Sequence, residues 1–123
     1  MADIPYQVPS QVDLAMVSGD SKTIRVKCLA PGRVPFVLAN VDTANWKLAK
    51  SVKGVPIIEK DLTSADVVIV QDGDNWFIDV VLAPADTDAL VGDYYHECQL
   101  ILSGGTVITP YSGLISIVQD LIV

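Results

Sequence analysis

The feature that most constrains the fold is a run of alternating apolar residues in the last third of the chain, from Asn75 to Val118. In its first part, apolar residues take every second position: Trp76, Ile78, Val80 and Leu82. This period of two is typical of a strand beside a core, and Pro84 ends it. After a corner, a strand is predicted from Tyr94 to Leu102. A tight Ser-Gly-Gly connection then returns the chain as an antiparallel partner, Val107–Val118.

Shorter strand patterns fill the rest of the chain. They are predicted at Asp13–Val17, Thr23–Leu29, Trp46–Val52, Pro56–Glu59 and Val67–Gln71, whereas Pro35–Val41 fits either a short strand or an irregular crossing. Asp72 to Asn75 is interpreted as a hairpin turn. Turn residues at roughly ten-residue intervals, without a helical period, predict an all-β, antiparallel β-sandwich of about seven to nine strands with little helix.

The 123 residues, half of them hydrophobic, are predicted to form one domain with an arm before it. Residues 1–12 contain Pro5 and Pro9 and no helical period, so they are interpreted as an extended N-terminal arm. Residues 13–123 are assigned to the sandwich. The last three residues are apolar, and they either extend the final strand or dock on another surface.

Charge excludes some classes of function. Fifteen acidic and eight basic residues give a net charge of −7, whereas binding to nucleic acid needs clustered cations. No apolar run approaches the roughly 20 residues of a membrane span, and the chain start lacks the pattern of a signal peptide. A soluble protein made in the cytoplasm, with no direct nucleic-acid or membrane contact, is therefore expected. In a reducing compartment, Cys28 and Cys98 are expected to be small buried apolar residues.

Two acidic stretches are candidates for calcium sites. Asp72, Asp74 and Asp79 lack the spaced ligands and the closing glutamate of an EF-hand loop, so a hairpin turn is the favoured interpretation. The same interpretation applies to a second group of carboxylates: Asp86, Asp88 and Asp93. No metal site is predicted.

His96 is the only histidine, and alternation places it on the same strand face as Cys98. A Cys-His nucleophile pair also needs a third group to orient the base and a cleft to admit substrate. Neither is evident, so a hydrogen-bonded histidine at the rim of the sandwich is expected. No phosphate-binding loop or nucleophile elbow is present. The sequence therefore predicts that the protein is not an enzyme and has neither catalytic residues nor a cofactor.

Aromatic residues offer a second hypothesis, because aromatic faces stack on sugar rings. They are Tyr6, Trp46, Trp76, Tyr94, Tyr95 and Tyr111. Since they are scattered along the chain, core and corner positions are the expected ones. A glycan-binding surface would require Trp46 or Trp76 to be exposed and coplanar.

The order Cys28, Trp46, Cys98 resembles that of an immunoglobulin domain, in which a disulfide lies beside a tryptophan. The segments Leu82–Thr87 and Asp93–Tyr95 look like the corner of a variable domain. The chain departs from that family because His96 and Glu97 separate the tyrosines from the cysteine. The resemblance implies an immunoglobulin-like sandwich, and a secreted member would have Cys28 and Cys98 oxidised.

A second resemblance covers the region from Trp46 to the C-terminus. The segments Leu82–Thr87, Leu90–Glu97, Ser103–Val107 and Tyr111–Ile117 are similar to those of small β-sandwich domains in tailed-bacteriophage virion proteins. This resemblance implies a non-enzymatic structural protein of the tail, baseplate, neck or head surface. Its expected partners are copies of itself and other virion proteins, and its expected location is the virion.

On this hypothesis, the chain ends carry the contacts between subunits. The candidate interface residues are Tyr6, Pro9, Gln119, Leu121, Ile122 and Val123. A head-to-tail contact of this kind uses different surfaces on the two partners. The alternative is a module exposed on the particle that binds a host glycan or receptor.

Overall fold

The fold consists of two facing β-sheets. The computed structural model describes residues 10–30 and 34–121. The larger sheet contains β1 (Ser10–Gln11), β2 (Leu14–Val17), β6 (Val41–Ala49), β7 (Pro56–Asp61), β10 (Gly92–Leu102) and β11 (Val107–Val118). Its order is β1-β11-β10-β6-β7, and β2 continues along β11 beyond β1.

The smaller sheet has the order β3-β9-β8. Its strands are β3 (Lys22–Lys27), β8 (Val67–Asp72) and β9 (Asn75–Leu82); β4 (Leu29–Ala30) pairs with β5 (Val34–Pro35), and α1 (Pro84–Thr87) follows β9. The order of the strands in both sheets is that of an immunoglobulin-like sandwich. Eight strands have four or more residues, which confirms the predicted sandwich with little helix. No helix in the described part of the chain is long and apolar enough to cross a membrane.

The core lies between the sheets and is built from the alternating positions. In β10, every second side chain from Tyr94 to Leu102 is buried, as predicted. In β9, Ile78, Val80 and Leu82 are buried and Trp76 is partly buried. Full burial of each large apolar side chain contributes about 1.5–3 kcal/mol to folding.

The corner between the sheets is held by hydrogen bonds from both of its ends. Pro84 starts α1, and the carboxylate of Asp86 accepts a hydrogen bond from the amide of Ala83 at 2.7 Å. The Tyr94 hydroxyl donates to the Val91 carbonyl at 3.2 Å. A tyrosine bonded to the backbone just upstream is the tyrosine corner of immunoglobulin-like folds, although here it precedes Cys98 by four residues instead of two.

Several predictions of strand extent and pairing were wrong. β6 begins at Val41, not at Trp46, and ends at Ala49, not at Val52, because it is a central strand held by β10 on one side and β7 on the other. The first strands pair with β11 in parallel, whereas only antiparallel pairing was predicted. No hairpin joins β1 or β2 to β11, since the chain crosses after Val17 to β3 in the smaller sheet, so the antiparallel pairing that a hairpin imposes is not required here.

Lys60 provides a test of the contact between β7 and the corner. Its ammonium lies 2.9 Å from Asp86 and 3.6 Å from Asp66, and its side chain is only 12% exposed. Burial acts to lower the pKa of Lys60, but the hydrogen bonds and charges of Asp86 and Asp66 outweigh it and raise that pKa.

We expect Lys60→Met to lower the free energy of unfolding in urea by about 1–3 kcal/mol, because it leaves two carboxylates without their partner. The matched control is Lys47→Met, which removes an exposed ion pair with Glu59 and should cost about 0.5 kcal/mol or less. Equal losses in the two variants would contradict a structural role for Lys60.

Candidate interface

The N-terminal strands lie along the edge of the larger sheet, in a line interrupted at Val12 and Asp13. At this interruption, a Cβ at position 113 would overlap the carbonyl of Val12, so only glycine leaves room for the chain to pass. The Asp13 carboxylate accepts a hydrogen bond from the Leu114 amide at 2.9 Å and so replaces a backbone acceptor. Gly113 and Asp13 together fix the position of the N-terminal segment on β11.

A chain of hydrogen bonds connects this segment to the core. The indole nitrogen of Trp46 donates to Nδ1 of His96 at 3.1 Å, and Nε2 of His96 lies 2.6 Å from the carbonyl oxygen of Val12. An indole N–H only donates, so Nδ1 must be the acceptor and Nε2 must carry the proton. The imidazole is therefore neutral and donates from Nε2 to Val12.

Burial controls the charge of this histidine. Desolvation lowers the pKa of His96, while its hydrogen bond to Val12 and the nearby charge of Asp13 act in the opposite direction. A second proton would turn Nδ1 into a donor facing the Trp46 N–H, and the hydrogen bond between the two rings would be lost. The arrangement is therefore stable only with the neutral ring.

The predicted location of His96 is wrong in one respect. The ring is hydrogen-bonded, as expected, but it lies in the core and not at the rim, since only 2% of the residue is exposed. The reason is that the backbone at Val12 lies against the ring and accepts its hydrogen bond. Its ring lies between those of Trp46 and Tyr111, with centroid distances of 5.9 and 5.6 Å.

Two thiols complete the core around these rings. Cys28 and Cys98 are free and buried, and burial raises the pKa of each thiol to about 12. Both thiols are therefore protonated at neutral pH and are poor nucleophiles. The Tyr111 hydroxyl has no oxygen or nitrogen partner among the described residues; burial and the adjacent Cys98 thiol raise the pKa of Tyr111.

The acidic residues considered as metal ligands are separated in the structure. Asp79 lies within β9, where it accepts two hydrogen bonds from Arg25 at 2.8 and 2.7 Å. The hydrogen bond and charge of Asp79 raise the pKa of Arg25. Asp72 and Asp74 lie at the β8–β9 hairpin. Across residues 10–30 and 34–121, no group of three or more His, Cys, Asp or Glu side chains is placed to hold a metal ion.

The predicted interface residues are only partly within the described chain. Gln119 and Leu121 are exposed, Leu121 by 92%. Tyr6, Pro9, Ile122 and Val123 lie outside the described residues. The chain enters the sheet at Ser10 beside Tyr111, and β11 ends at Val118 beside Val17. The two predicted contact segments therefore adjoin opposite ends of one edge.

A groove of about 790 Å³ lies on the outer face of the larger sheet and was not predicted from the sequence. Cross-strand pairing places an apolar row in it: Leu114, Tyr95, Ala49 and Pro56. A polar row lies beside it: Ser112, Glu97 and Lys47. The turn at residues 51–54 and Gln11 also line this groove, which we call the outer groove. Alternation signals that Tyr95 points outward, but its neighbours depend on registers that the sequence does not reveal.

No protein-family model matches the sequence, and no curated protein matches it. CopC from Methylosinus trichosporium OB3b is similar in structure, with 13% identity over 91% of this chain and 90% of that chain and a TM-score of 0.42. Murine CRIg is similar with 11% identity over 88% of this chain and 92% of that chain and a TM-score of 0.38. At such low sequence identity, these similarities indicate no ligand or activity for this chain.

Acid should weaken the fold through His96. An unfolded histidine has a pKa of about 6.5, and the folded pKa is lower, so below pH 6.5 the unfolded chain binds more protons. The contribution of His96 to the free energy of unfolding is fully present above pH 6.5 and is lost as the pH falls through the pKa of His96 in the folded protein.

We expect urea unfolding between pH 7.5 and 5 to show a greater loss for the native chain than for His96→Gln. The glutamine amide accepts and donates without titrating, so it serves as the matched control. Parallel pH profiles would contradict this account of His96.

Gly113 provides a second test. Gly113→Ala should lower the free energy of unfolding by about 2–4 kcal/mol, because the added methyl group displaces Val12 from His96. Ser112→Ala, on the same strand, is the control and should have a much smaller effect. Chemical denaturation measures both, and a neutral Gly113→Ala would show that the N-terminal segment does not depend on this passage.

Proposed function

We propose that this domain is a structural subunit of a tailed-bacteriophage particle and assembles head to tail with copies of itself and with other virion proteins. The observation that carries the assembly role is the placement of the chain ends. Residue 10 starts β1 beside Tyr111, in the first half of β11, and residues 119–121 follow Val118, the last residue of β11. Contacts made by different surfaces at opposite ends of a subunit produce rings or stacks.

Exposure at the chain end supports this proposal. Leu121 is almost fully exposed, so it is accessible for the contact that the proposal assigns to residues 119–123. β8 is one of the two edge strands of the smaller sheet, and its Val68 is 38% exposed. An apolar strand edge of this kind favours pairing with another chain.

The assignment to a phage particle rests on the sequence resemblance, which covers the region from Trp46 to the C-terminus. The location in the virion, in the tail, neck, baseplate or head surface, is part of the same proposal. The alternative of a glycan-binding module required an exposed Trp46 or Trp76. Trp46 is fully buried and Trp76 partly buried, which favours the structural role.

The proposal is tested by the solution mass of the full chain and of two truncated chains, measured by light scattering. One lacks residues 1–9, a cut that spares Val12 because its carbonyl accepts the His96 hydrogen bond. The other lacks residues 119–123. We expect a defined oligomer for the full chain and a loss of mass to the monomer in both truncated chains.

Tryptophan fluorescence serves as the control for folding, since Trp46 is buried in the core. A folded truncated chain with the mass of the full oligomer would contradict the role of the segment removed. A full chain that stays monomeric at all concentrations would contradict self-assembly.

A further inference from the structure

The outer groove is an apolar concavity that the described residues leave open. Tyr95 and Leu114 pair across the central strands β10 and β11, yet they remain 41% and 39% exposed. Val52, in the turn that lines the same groove, is 68% exposed. Single exposed apolar side chains are ordinary, but several in one concavity with polar groups beside them indicate a binding surface.

We infer that the outer groove binds residues 1–9 of a neighbouring copy of this chain. This inference rests on the proposed self-assembly: the outer groove is the surface that receives residues 1–9 of the neighbouring subunit. The segment has the sequence MADIPYQVP, with one charged side chain, that of Asp3, and apolar residues at most other positions. Nine extended residues span about 30 Å, enough to reach across the sheet of an adjacent subunit.

The direction of β1 favours a neighbour over the same chain. β1 is parallel to β11 and starts at the pair Ser10–Tyr111, whereas the apolar row of the groove lies farther along β11, at Leu114. Ser10, the first described residue, therefore lies towards the end of β11 away from that row, and Gln11 borders the groove. To occupy the groove of their own chain, residues 1–9 would have to turn back beside Ser10 and Gln11, whereas Pro5 and Pro9 favour an extended backbone.

The chemistry of the two surfaces matches. Proline-containing segments are pre-ordered in an extended conformation and bind aromatic grooves at a low entropic cost. Pro5, Tyr6 and Pro9 provide such a segment, and Tyr95 provides the aromatic face. The groove also presents Lys53, opposite in charge to Asp3. Lys47 is 3.6 Å from Glu59 and is already paired.

The direct test is a titration of the chain that lacks residues 1–9 with a synthetic peptide of residues 1–9, followed by amide NMR. We expect saturable shifts at Tyr95, Leu114 and Val52. Leu114→Glu should weaken binding at least about tenfold, and Tyr95→Ala should also weaken it. The matched control is Val81→Glu, a residue 40% exposed on the smaller sheet, which should leave binding unchanged. Absent shifts, shifts elsewhere, or equal binding by Leu114→Glu would overturn the inference.

The same variants separate this inference from the proposed function. In the full chain, Leu114→Glu should reduce the mass as much as removal of residues 1–9 does, while Val81→Glu retains the oligomer. If the truncation reduces the mass but Leu114→Glu and the peptide have no effect, the groove assignment is overturned and the proposed assembly stands. If truncation leaves the mass unchanged, the proposed role of the arm fails. A monomer whose groove is filled by its own segment also overturns the inference.

Discussion

The hydrogen-bond chain from Trp46 through His96 to Val12 is the interaction on which the position of the N-terminal segment depends. The hydrogen bond between Trp46 and His96 is buried and that between His96 and Val12 is partly buried, and a buried donor or acceptor left without a partner costs about 1–3 kcal/mol. The imidazole satisfies the indole on one side and a backbone carbonyl on the other. The N-terminal strands are therefore bonded to the core as well as to the edge of the sheet.

This constraint explains the form of the sheet edge. The carbonyl of Val12 points towards His96, so it does not accept a backbone hydrogen bond from β11. The Asp13 carboxylate accepts the hydrogen bond of the Leu114 amide instead. Gly113 is the position where the passing backbone leaves no room for a side chain. As a result, Ser10 and Gln11 are held at a fixed place and in a fixed direction along β11. The proposed assembly follows from that placement.

The sequence predicted the parts of the fold that depend on local alternation. The extent of β11 was predicted from Val107 to Val118, because the Ser-Gly-Gly turn before it returns the chain as an antiparallel partner of β10. The parallel pairing of the first strands was not predicted, since it joins the two ends of the chain. The burial of His96 depends on Val12, 84 residues away, and no local pattern shows that contact.

The outer groove was missed for a similar reason. Alternation places Tyr95 on the outer face, but its pairing with Leu114 and Ala49 depends on the registers of β10 with β11 and with β6. These registers shift at Cys98–Leu100 and Ile101–Leu102, and the register that pairs Ala49 with Pro56 shifts at Leu48–Ala49. A shift of one residue would bring other side chains together on that face. Interface residues at the chain ends were proposed from composition alone, and composition does not specify which surface receives them.

The most direct measurement is the protonation state of His96 in the folded protein by nitrogen-15 NMR, which is unambiguous because the chain has one histidine. The account predicts a neutral ring at pH 7 with its proton on Nε2, and a coupling across the hydrogen bond between Trp46 Nε1 and His96 Nδ1. A ring protonated on Nδ1, or one that titrates with the pKa of about 6.5 of a free histidine, would contradict it.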